Sequence, residues 1–577
     1  MRGWEVAMEL DELRSLGLLE FLDVELARSL SRLGGEADPN VALAIALTSR
    51  NVRAGHTCFP LGTAAEELWP RPSLVPAALP EPTAWAENLR ASRLTQGGPL
   101  VLDARNRLYL RRFWKLESDI AKELAERAGR PRRFPDEAPW LASTLDRLFP
   151  GGENTPQRRA AQNALEHSVT LLCGGPGTGK TTTVASIIAM IVERDLRATR
   201  KAPEVMLLGP TGKAAARLGQ AVLGAKQRID ASPEVLACIP TEASTVHRAL
   251  GMHRQGMRFS RNADQPLQAD VIVLDEASMI DLALMRQLLD ATPAGATLLI
   301  VGDPDQLTSV EAGSVLRDLV GASDQTWWRD RVSYLSKTWR YAEAQPLGRL
   351  VRAIREGSAE AVDALLSTED AVDVVWKPLR ELSSELDRAA THWGEVLHPS
   401  NRESHFELRG RYVMLTPFRH GPIGTDRLGA AIRERLAASG EEFGGTPIII
   451  EQNSQELGVF NGDFAILIDG ETPTAIVQGD SQEPREIAEA RLPRYADAFA
   501  LSVHKAQGSE FDEVLVVLPE EDAPLLTREL LYTAVSRAKK RVRIVGPKAV
   551  VLAALGRRAR RDSGLIDAIG ERTPSGD

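Results

Sequence analysis

The chain has 577 residues, with 70 Lys plus Arg against 79 Asp plus Glu and a formal net charge of −9. That length allows about three or four domains, and the acidic balance excludes nucleic-acid binding through overall charge, so any such site must be a local patch. The three cysteines, Cys58, Cys173 and Cys238, are too far apart in sequence to suggest a zinc site, an iron–sulfur cluster or a disulfide framework, and they suit a reducing, cytoplasmic setting.

The opening residues, MRGWEVAMELDELRS, are too acidic and polar for a secretory leader, and no apolar run approaches a membrane span, so no membrane attachment is expected. From about Leu10 to Ser49 apolar residues recur at helical spacing (Leu18, Leu19, Phe21, Leu22, then Val41, Leu43, Ala44, Leu47), which predicts a small helical unit. Pro60, Pro70, Pro72, Pro76, Pro80 and Pro82 then break regular structure into short pieces. A second stretch, with Pro131, Pro135 and Pro139 following Arg127, Arg130, Arg132 and Arg133, reads as a linker, with a boundary near residue 145. Asn154-Thr155-Pro156 is a helix start, and Gln157 projects from its first turn, where its amide offers the donor and acceptor that complement an adenine edge. An ordinary surface glutamine is the plainer reading of that residue alone.

An apolar run from Val169 to Cys173 enters a glycine-rich loop, and a helical pattern follows from Lys180 with Val184, Ile187, Ile188 and Ile191 on one face. Gly174, Gly179, Lys180 and Thr181 fit the G-x-x-x-x-G-K-[ST] pattern. The loop from Gly174 through Gly175, Pro176, Gly177, Thr178 and Gly179 to Thr182 therefore predicts a cradle for ATP, since bare amides and a helix N-terminus face phosphate oxygens. Lys180 would neutralise the β- and γ-phosphates and the Thr181 hydroxyl would ligate Mg²⁺. The apolar strand Val271–Leu274 delivers Asp275 and Glu276: the first suits the Mg²⁺ shell and the second the activation of water. A further strand, Thr297 to Val301, ends in Gly302-Asp303-Pro304-Asp305-Gln306, and Gln306 is placed to sense a γ-phosphate.

Between these, Val205–Gly209 runs into Pro210-Thr211-Gly212-Lys213 and an alanine-rich helix. Thr211, Gly212 and Lys213, like Ser244, Thr245 and His247 further on, are small or basic groups suited to DNA phosphodiesters, although ordinary helix capping accounts for each equally well. Gly251 to Leu267 suggests a short hairpin turning at Gln255-Gly256. Leu530 to Arg561 holds ten Lys or Arg and no Asp or Glu, a candidate DNA patch or a solvated basic face.

Taken in order, GGPGTGKT, GPTGKAAARL, ASTVH, LDEAS, GDPDQLTSVEAG, LSKTWRY, FALSVHKAQGSEFDEV and LLYTAVSRAKKRV resemble the motifs of superfamily 1 helicases of the 5′ to 3′ branch, and within it the RecD family. The likeness spans about residues 154 to 550 and extends more weakly to LDVELARSL, HTCFPL and RLYLRRFWKLE. It implies an α/β chain with two RecA-like P-loop domains, a small helical N-terminal domain and an SH3-like β-barrel insertion. The corresponding boundaries are 1–115 for the N-terminal, partner-binding domain, 116–150 for a linker, 151–330 and 331–577 for the RecA-like domains, and about 440–494 for the insertion. In the insertion Asn461-Gly462 is a strong turn signal, and Phe460 and Phe464 read as barrel core in preference to base-stacking platforms.

The resemblance also assigns roles in the second domain. Arg340 and Arg537 match arginines set against the γ-phosphate, a planar cation stabilising transferred charge when the cleft closes. Ser502, His504, Lys505 and Gln507 match the motif coupling DNA contact to nucleotide state, with Gly508 near a phosphate and Glu510 at the nucleotide ribose. The expected activity is ATP-dependent 5′ to 3′ movement on single-stranded and duplex-end DNA, with RecB-like and RecC-like subunits as partners in an exodeoxyribonuclease V and no nuclease chemistry in this chain. A standalone DNA or RNA helicase and a nucleotide-controlled interaction module are the alternatives. The tail from Pro574 to Asp577 is expected to be disordered.

Overall fold

The computed structural model describes the chain apart from residues 1–9, 65–78, 131–137, 151, 153–154, 252–258, 326, 342–344, 369–371, 399, 401–403, 440–442, 455, 479–483 and 575–577. The hairpin turn expected at Gln255-Gly256 and most of the terminal tail lie outside the described residues. At the helix start near Asn154, Thr155 supplies the cap, its hydroxyl accepting from the Arg158 N–H.

Six parallel strands form the first sheet, in the order Ala243–Thr245, Val205–Gly209, Val271–Leu274, Thr297–Gly302, Val169–Gly174, Val332–Leu335. Its middle strands are continuous apolar runs because both faces are covered, and successive residues go to opposite sides. Leu171 and Cys173 join Leu288 and the helix residues Ile120 and Leu124 on one face. Leu172 meets Ile187, Ile188 and Ile191 of the helix Lys180–Thr199 on the other.

The second sheet is also parallel, in the order Val374–Lys377, Ala538–Val545, Phe511–Val517, Tyr412–Thr416, Leu501–Ser502. Between the helix Thr425–Ala438 and Leu501–Ser502 the chain leaves to build a five-stranded antiparallel sheet, Pro484–Ala488, Thr474–Gln478, Phe464–Ile468, Thr446–Ile450, Tyr495–Asp497. That insertion has an aliphatic core of Ile448, Ile450, Val459, Ala465 and Val477. Phe464 is buried, but outside that core: its ring packs against Trp393, Phe406 and the Arg409 guanidinium of the second domain. Phe460 is half-buried and lies against Gly212 of the first domain. The two rings are joints between units, because the short strands fill their own interior with β-branched and small side chains.

The N-terminal unit has the predicted helices, Phe21–Gly34 and Pro39–Arg53, plus Pro82–Ala91 and a three-stranded antiparallel sheet, Phe59–Pro60, Arg107–Leu110, Leu100–Leu102. Its predicted apolar stripe divides. Leu19, Val41, Leu43, Ala44 and Leu47 are buried, whereas Phe21 and Leu22 are 61% and 58% exposed.

Two stretches differ from the sequence reading. The expected linker at 116–150 carries the helices Arg111–Ala128 and Ala138–Leu148, and both insert apolar residues into the first RecA-like domain. The chain's last described residues do not stay with the second domain. Leu565 and Ile569 of the helix Leu565–Gly570 pack with Ile120, Leu319 and Trp328 in the first domain's core. Just before them, Arg561 donates to the Ala54 carbonyl, and the Asp562 carbonyl accepts from the Thr57 N–H. Gly55, at φ +89°, has no room for a side chain beside Arg561. Glu117, fully buried, accepts from Thr57, Ser563 and the Gly564 N–H.

Candidate nucleotide site and nucleic-acid face

Val169–Gly174 is buried along its length between two parallel neighbours, so the loop after it leaves the sheet at a fixed point. Gly177 and Gly179 adopt left-handed conformations (φ 73° and 85°) that favour glycine. A side chain at Gly177 would also strike Arg340, and one at Gly175 would meet the Tyr532 hydroxyl. The Thr178 hydroxyl donates to the Gly175 carbonyl at 2.8 Å, and Lys180 Nζ reaches back to the Gly174 and Gly175 carbonyls at 2.7 and 3.0 Å. Lys180 is thereby curled over the loop whose phosphate it would hold.

At the end of Val271–Leu274, Asp275 accepts from the Glu276 N–H, and Glu276 sits at φ 51°, a left-handed conformation uncommon for a non-glycine residue. Burial raises the Asp275 carboxyl to about 6, with the neighbouring Glu276 charge adding to the shift and Lys180 opposing it. One half-buried carboxylate plus the Thr181 hydroxyl suits Mg²⁺, which keeps waters and takes its remaining ligands from substrate phosphates. A divalent cation there would also relieve the crowding of the two carboxylates.

The second domain closes the site. Pro176, Gly177, Thr178, Gly179, Lys180, Thr181 and Thr182 line one cavity of about 210 Å³ together with Asp275, Glu276, Gln306, Arg340, Glu510 and Arg537. Arg340 pairs with Glu510 and donates to the Ser536 carbonyl. Arg537 is 2% exposed and donates to the Thr533 and Ser509 carbonyls and the Ser536 hydroxyl, and burial lowers its pKa. Gly508, at φ 69°, lies one step outside this cavity. Burial alone would raise the Glu510 carboxyl, but Arg217 and Arg340 outweigh it and hold it down at about 2.

Gln306 does not face the cavity alone. Its amide donates to Asp303, which also accepts from the Tyr532 hydroxyl at 2.9 Å. The Leu307 N–H donates to Thr533, and its carbonyl accepts from Gln507. Gln306 thus stands in a network that joins the domains, through residues the motif reading did not single out: Asp303, Tyr532 and Thr533. Arg217 was missed too, although it follows Lys213 by four residues on one helix and so shares its face. A roomier cavity of about 750 Å³ adjoins the phosphate loop, and Gln157 lines it with Thr182, Phe149 and Trp339. Trp339, 66% exposed, donates its backbone N–H to the Gly177 carbonyl at 2.7 Å.

The residues considered for DNA divide. Gly209 is paired with Thr245 in neighbouring strands, so the loops holding Thr211 and Thr245 leave the same edge of the sheet. Both threonines cap helices, accepting from the Ala214 and Arg248 N–H groups. The Ser244 hydroxyl donates to the Thr245 carbonyl, and His247 lies beside Phe259, its pKa lowered by burial. Lys213 is turned to the Ser509 hydroxyl, and burial pulls its pKa well down. Ser502 accepts from the Lys505 N–H, Lys505 pairs with Glu451, and His504 is lowered by burial and by Arg561.

The basic run from Leu530 to Arg561 is not a free cationic surface. Lys540, Arg541, Arg543, Lys548, Arg557 and Arg560 pair with Asp512, Glu513, Glu385, Asp363, Asp522 and Asp562. Most of those carboxylates come from other elements, which counting along one segment cannot reveal.

Three family models match the chain: the RecBCD enzyme subunit RecD, N-terminal domain, over residues 15–109, an AAA domain over 157–312, and a UvrD-like helicase C-terminal domain over 497–545. The RecBCD enzyme subunit RecD of Mycobacterium tuberculosis is 38% identical, covering 95% of this chain and 94% of that relative. That of Mycolicibacterium smegmatis is 37% identical over 95% and 97%. The ATP-dependent RecD2 DNA helicase of Deinococcus radiodurans is 32% identical over 72% of this chain and 52% of its own length. Among solved structures, the Candida albicans Pif1 helicase covers 70% of this chain and 96% of its own at 16% identity, with a TM-score of 0.37.

Proposed function

The chain belongs to the RecD family of helicases, and we propose that it is the helicase subunit of an exodeoxyribonuclease V, moving 5′ to 3′ from a duplex end beside RecB-like and RecC-like partners. It is an ATP-dependent DNA helicase. The match of residues 15–109 to the RecD N-terminal domain and the higher identity to the mycobacterial subunits (38% and 37%) than to the RecD2 helicase (32%) favour the subunit over a standalone enzyme. The role that follows is processing of broken DNA ends for homologous recombination, in the cytoplasm. Among the described residues no helix is long and apolar enough to cross a membrane.

The observation that carries the mechanism is the shared cavity, in which Lys180, Thr181, Asp275 and Glu276 of the first domain face Arg340 and Arg537 of the second. The loop amides and Lys180 hold the triphosphate, Gln157 reads the base, and Thr181 and Asp275 would hold Mg²⁺. That ion supplies charge neutralisation at the phosphate oxygens. Glu276 orients water and takes its proton. Arg340 exchanges Glu510 for the γ-phosphate as the cleft closes, while Glu510 becomes free to accept from the ribose, and Gln306 carries the change through Asp303 to Tyr532. Thr211, Thr245 and His247 in one domain and Ser502 and His504 in the other grip the strand backbone alternately, whereas Lys213 is turned to Ser509, and backbone contact of this kind predicts little base specificity.

Co-purification with candidate RecB-like and RecC-like proteins, followed by unwinding of duplexes with only a 5′ or only a 3′ tail, tests the reading. A heterotrimer whose 5′-tailed unwinding is lost in the Lys180→Gln protein is expected. A monomer that unwinds 5′-tailed DNA unaided would reject the subunit assignment, and DNA-stimulated hydrolysis surviving Lys180→Gln would reject the site.

A further inference from the structure

Behind the nucleotide cavity lies a second one of about 410 Å³, between the helix Gly212–Lys226, the insertion and the second domain. The two cavities have Arg217 and Glu510 in common, so that one ion pair forms part of the wall of each. The rear cavity is cationic, with Lys213, Arg217, Arg409 and Lys539 against Asp463 and Glu510. Arg409 is its least ordinary member. It is 9% exposed, its guanidinium lies 3.9 Å from the centre of the Phe464 ring and 5.5 Å from that of Phe511, and no carboxylate among the described residues pairs with it. Burial without an opposing charge lowers its pKa to about 10. Lys213 beside it is half-buried, with Arg409 and Arg217 disfavouring its charge and Asp463 favouring it. A guanidinium such as that of Arg409, held out of water without a counter-charge, is costly unless an anion visits.

We propose that the rear cavity is an exit chamber for inorganic phosphate: after hydrolysis the anion leaves the γ-phosphate position through the Arg217–Glu510 wall and is received by Arg409, Lys213 and Lys539. The direction follows from charge. Glu510 holds Arg217 and Arg340 while no phosphate is present, and a phosphate dianion competes for both arginines. Its passage parts the ion pair on the side away from the loop that retains ADP, and the pair re-forms behind it. The chamber touches the insertion at Gly462, Asp463 and Phe464, so phosphate in transit also bears on the joint between the insertion and the helix Gly212–Lys226.

The proposal rests on the ATP-hydrolysis reading, and hydrolysis by the unmodified chain is the control that separates the two. The test uses the full chain with single-stranded DNA in a single turnover, following ATP cleavage by acid quench and phosphate release by a fluorescent phosphate-binding sensor. Arg409→Gln and, at an exposed position, Lys539→Gln are compared with the parent. Cleavage at the parental rate with release delayed about tenfold in Arg409→Gln, the order of one hydrogen bond to a charged group, and a lesser delay in Lys539→Gln, is the expected result. Release that stays in step with cleavage in both variants overturns the proposal. Weaker binding of single-stranded DNA with unaltered release also overturns it, and assigns the cations to the DNA backbone instead.

Discussion

The molecule has two junctions that join its parts, and they differ in what lies at their centres. At the cleft, charges with more than one available partner dominate: Glu510 is shared by Arg217 and Arg340, and Asp303 is shared by Gln306 and Tyr532. Leu307 is the first-domain side chain that joins the second domain's core cluster. At the tail junction, Leu565 and Ile569 are fully buried among aliphatic and aromatic residues and the buried Glu117 is met by neutral hydroxyl and amide donors, while the ion pairs of Asp567 with Arg105 and Arg107 and of Asp562 with His56 flank that apolar centre. Ion pairs can trade partners at little net cost, whereas apolar packing is lost outright on separation. The cleft is built to open and the tail junction to stay shut.

The largest expected effect separates the two by activity. Arg340→Ala should lower DNA-stimulated ATP hydrolysis by about a thousandfold or more, with a thermal midpoint within about 2 °C of the parent. A large loss of midpoint would show the cleft to be a structural joint after all. Leu565→Ala should do the reverse, costing about 2–5 kcal/mol in urea unfolding while hydrolysis per folded molecule persists.

A smaller contrast comes from pH. Glu510 has a folded pKa of about 2, below its unfolded value, so the cleft pairing contributes fully above about pH 4.3 and is lost as pH falls from there towards 2. Asp318, which adjoins Ser563 in the tail junction, is raised to about 7, chiefly by burial. It therefore favours the native state at low pH and costs stability progressively as pH rises through about 4 to 7. Relative to the parent, Glu510→Gln should flatten the acid limb of a stability profile and Asp318→Asn the limb approaching neutrality. Profiles that shift in the same direction would refute the contrast. Least of all, Arg541→Gln should change affinity for single-stranded DNA by less than about twofold, measured by fluorescence anisotropy, because Arg541 is engaged with Glu513.

What the sequence disclosed follows the same division. The phosphate loop was legible because its glycines, Lys180 and Thr181 act within a few residues of one another, and Asp275 and Glu276 because one apolar strand delivers both. Arg340 and Arg537 were legible through motif likeness, but their partners were not. The Glu510 triangle brings together residues 217, 340 and 510, and periodicity carries no information about such meetings. The tail junction was invisible for a stronger reason: Ser563 meets Glu117 across 446 residues of chain. Local composition also misled where neutralising groups come from elsewhere, as with Glu513 and Glu385 against the basic strand Ala538–Val545.

The return of the chain to the first domain has a geometric consequence. The second RecA-like domain is attached at two covalent crossings, one where the strand Val332–Leu335 gives way to the Arg340 segment and one at Arg557 to Asp562. A body tethered at two points swings most readily about the line through them. Opening about that line leaves both attachments intact, so the two crossings narrow the ways in which the cleft can part.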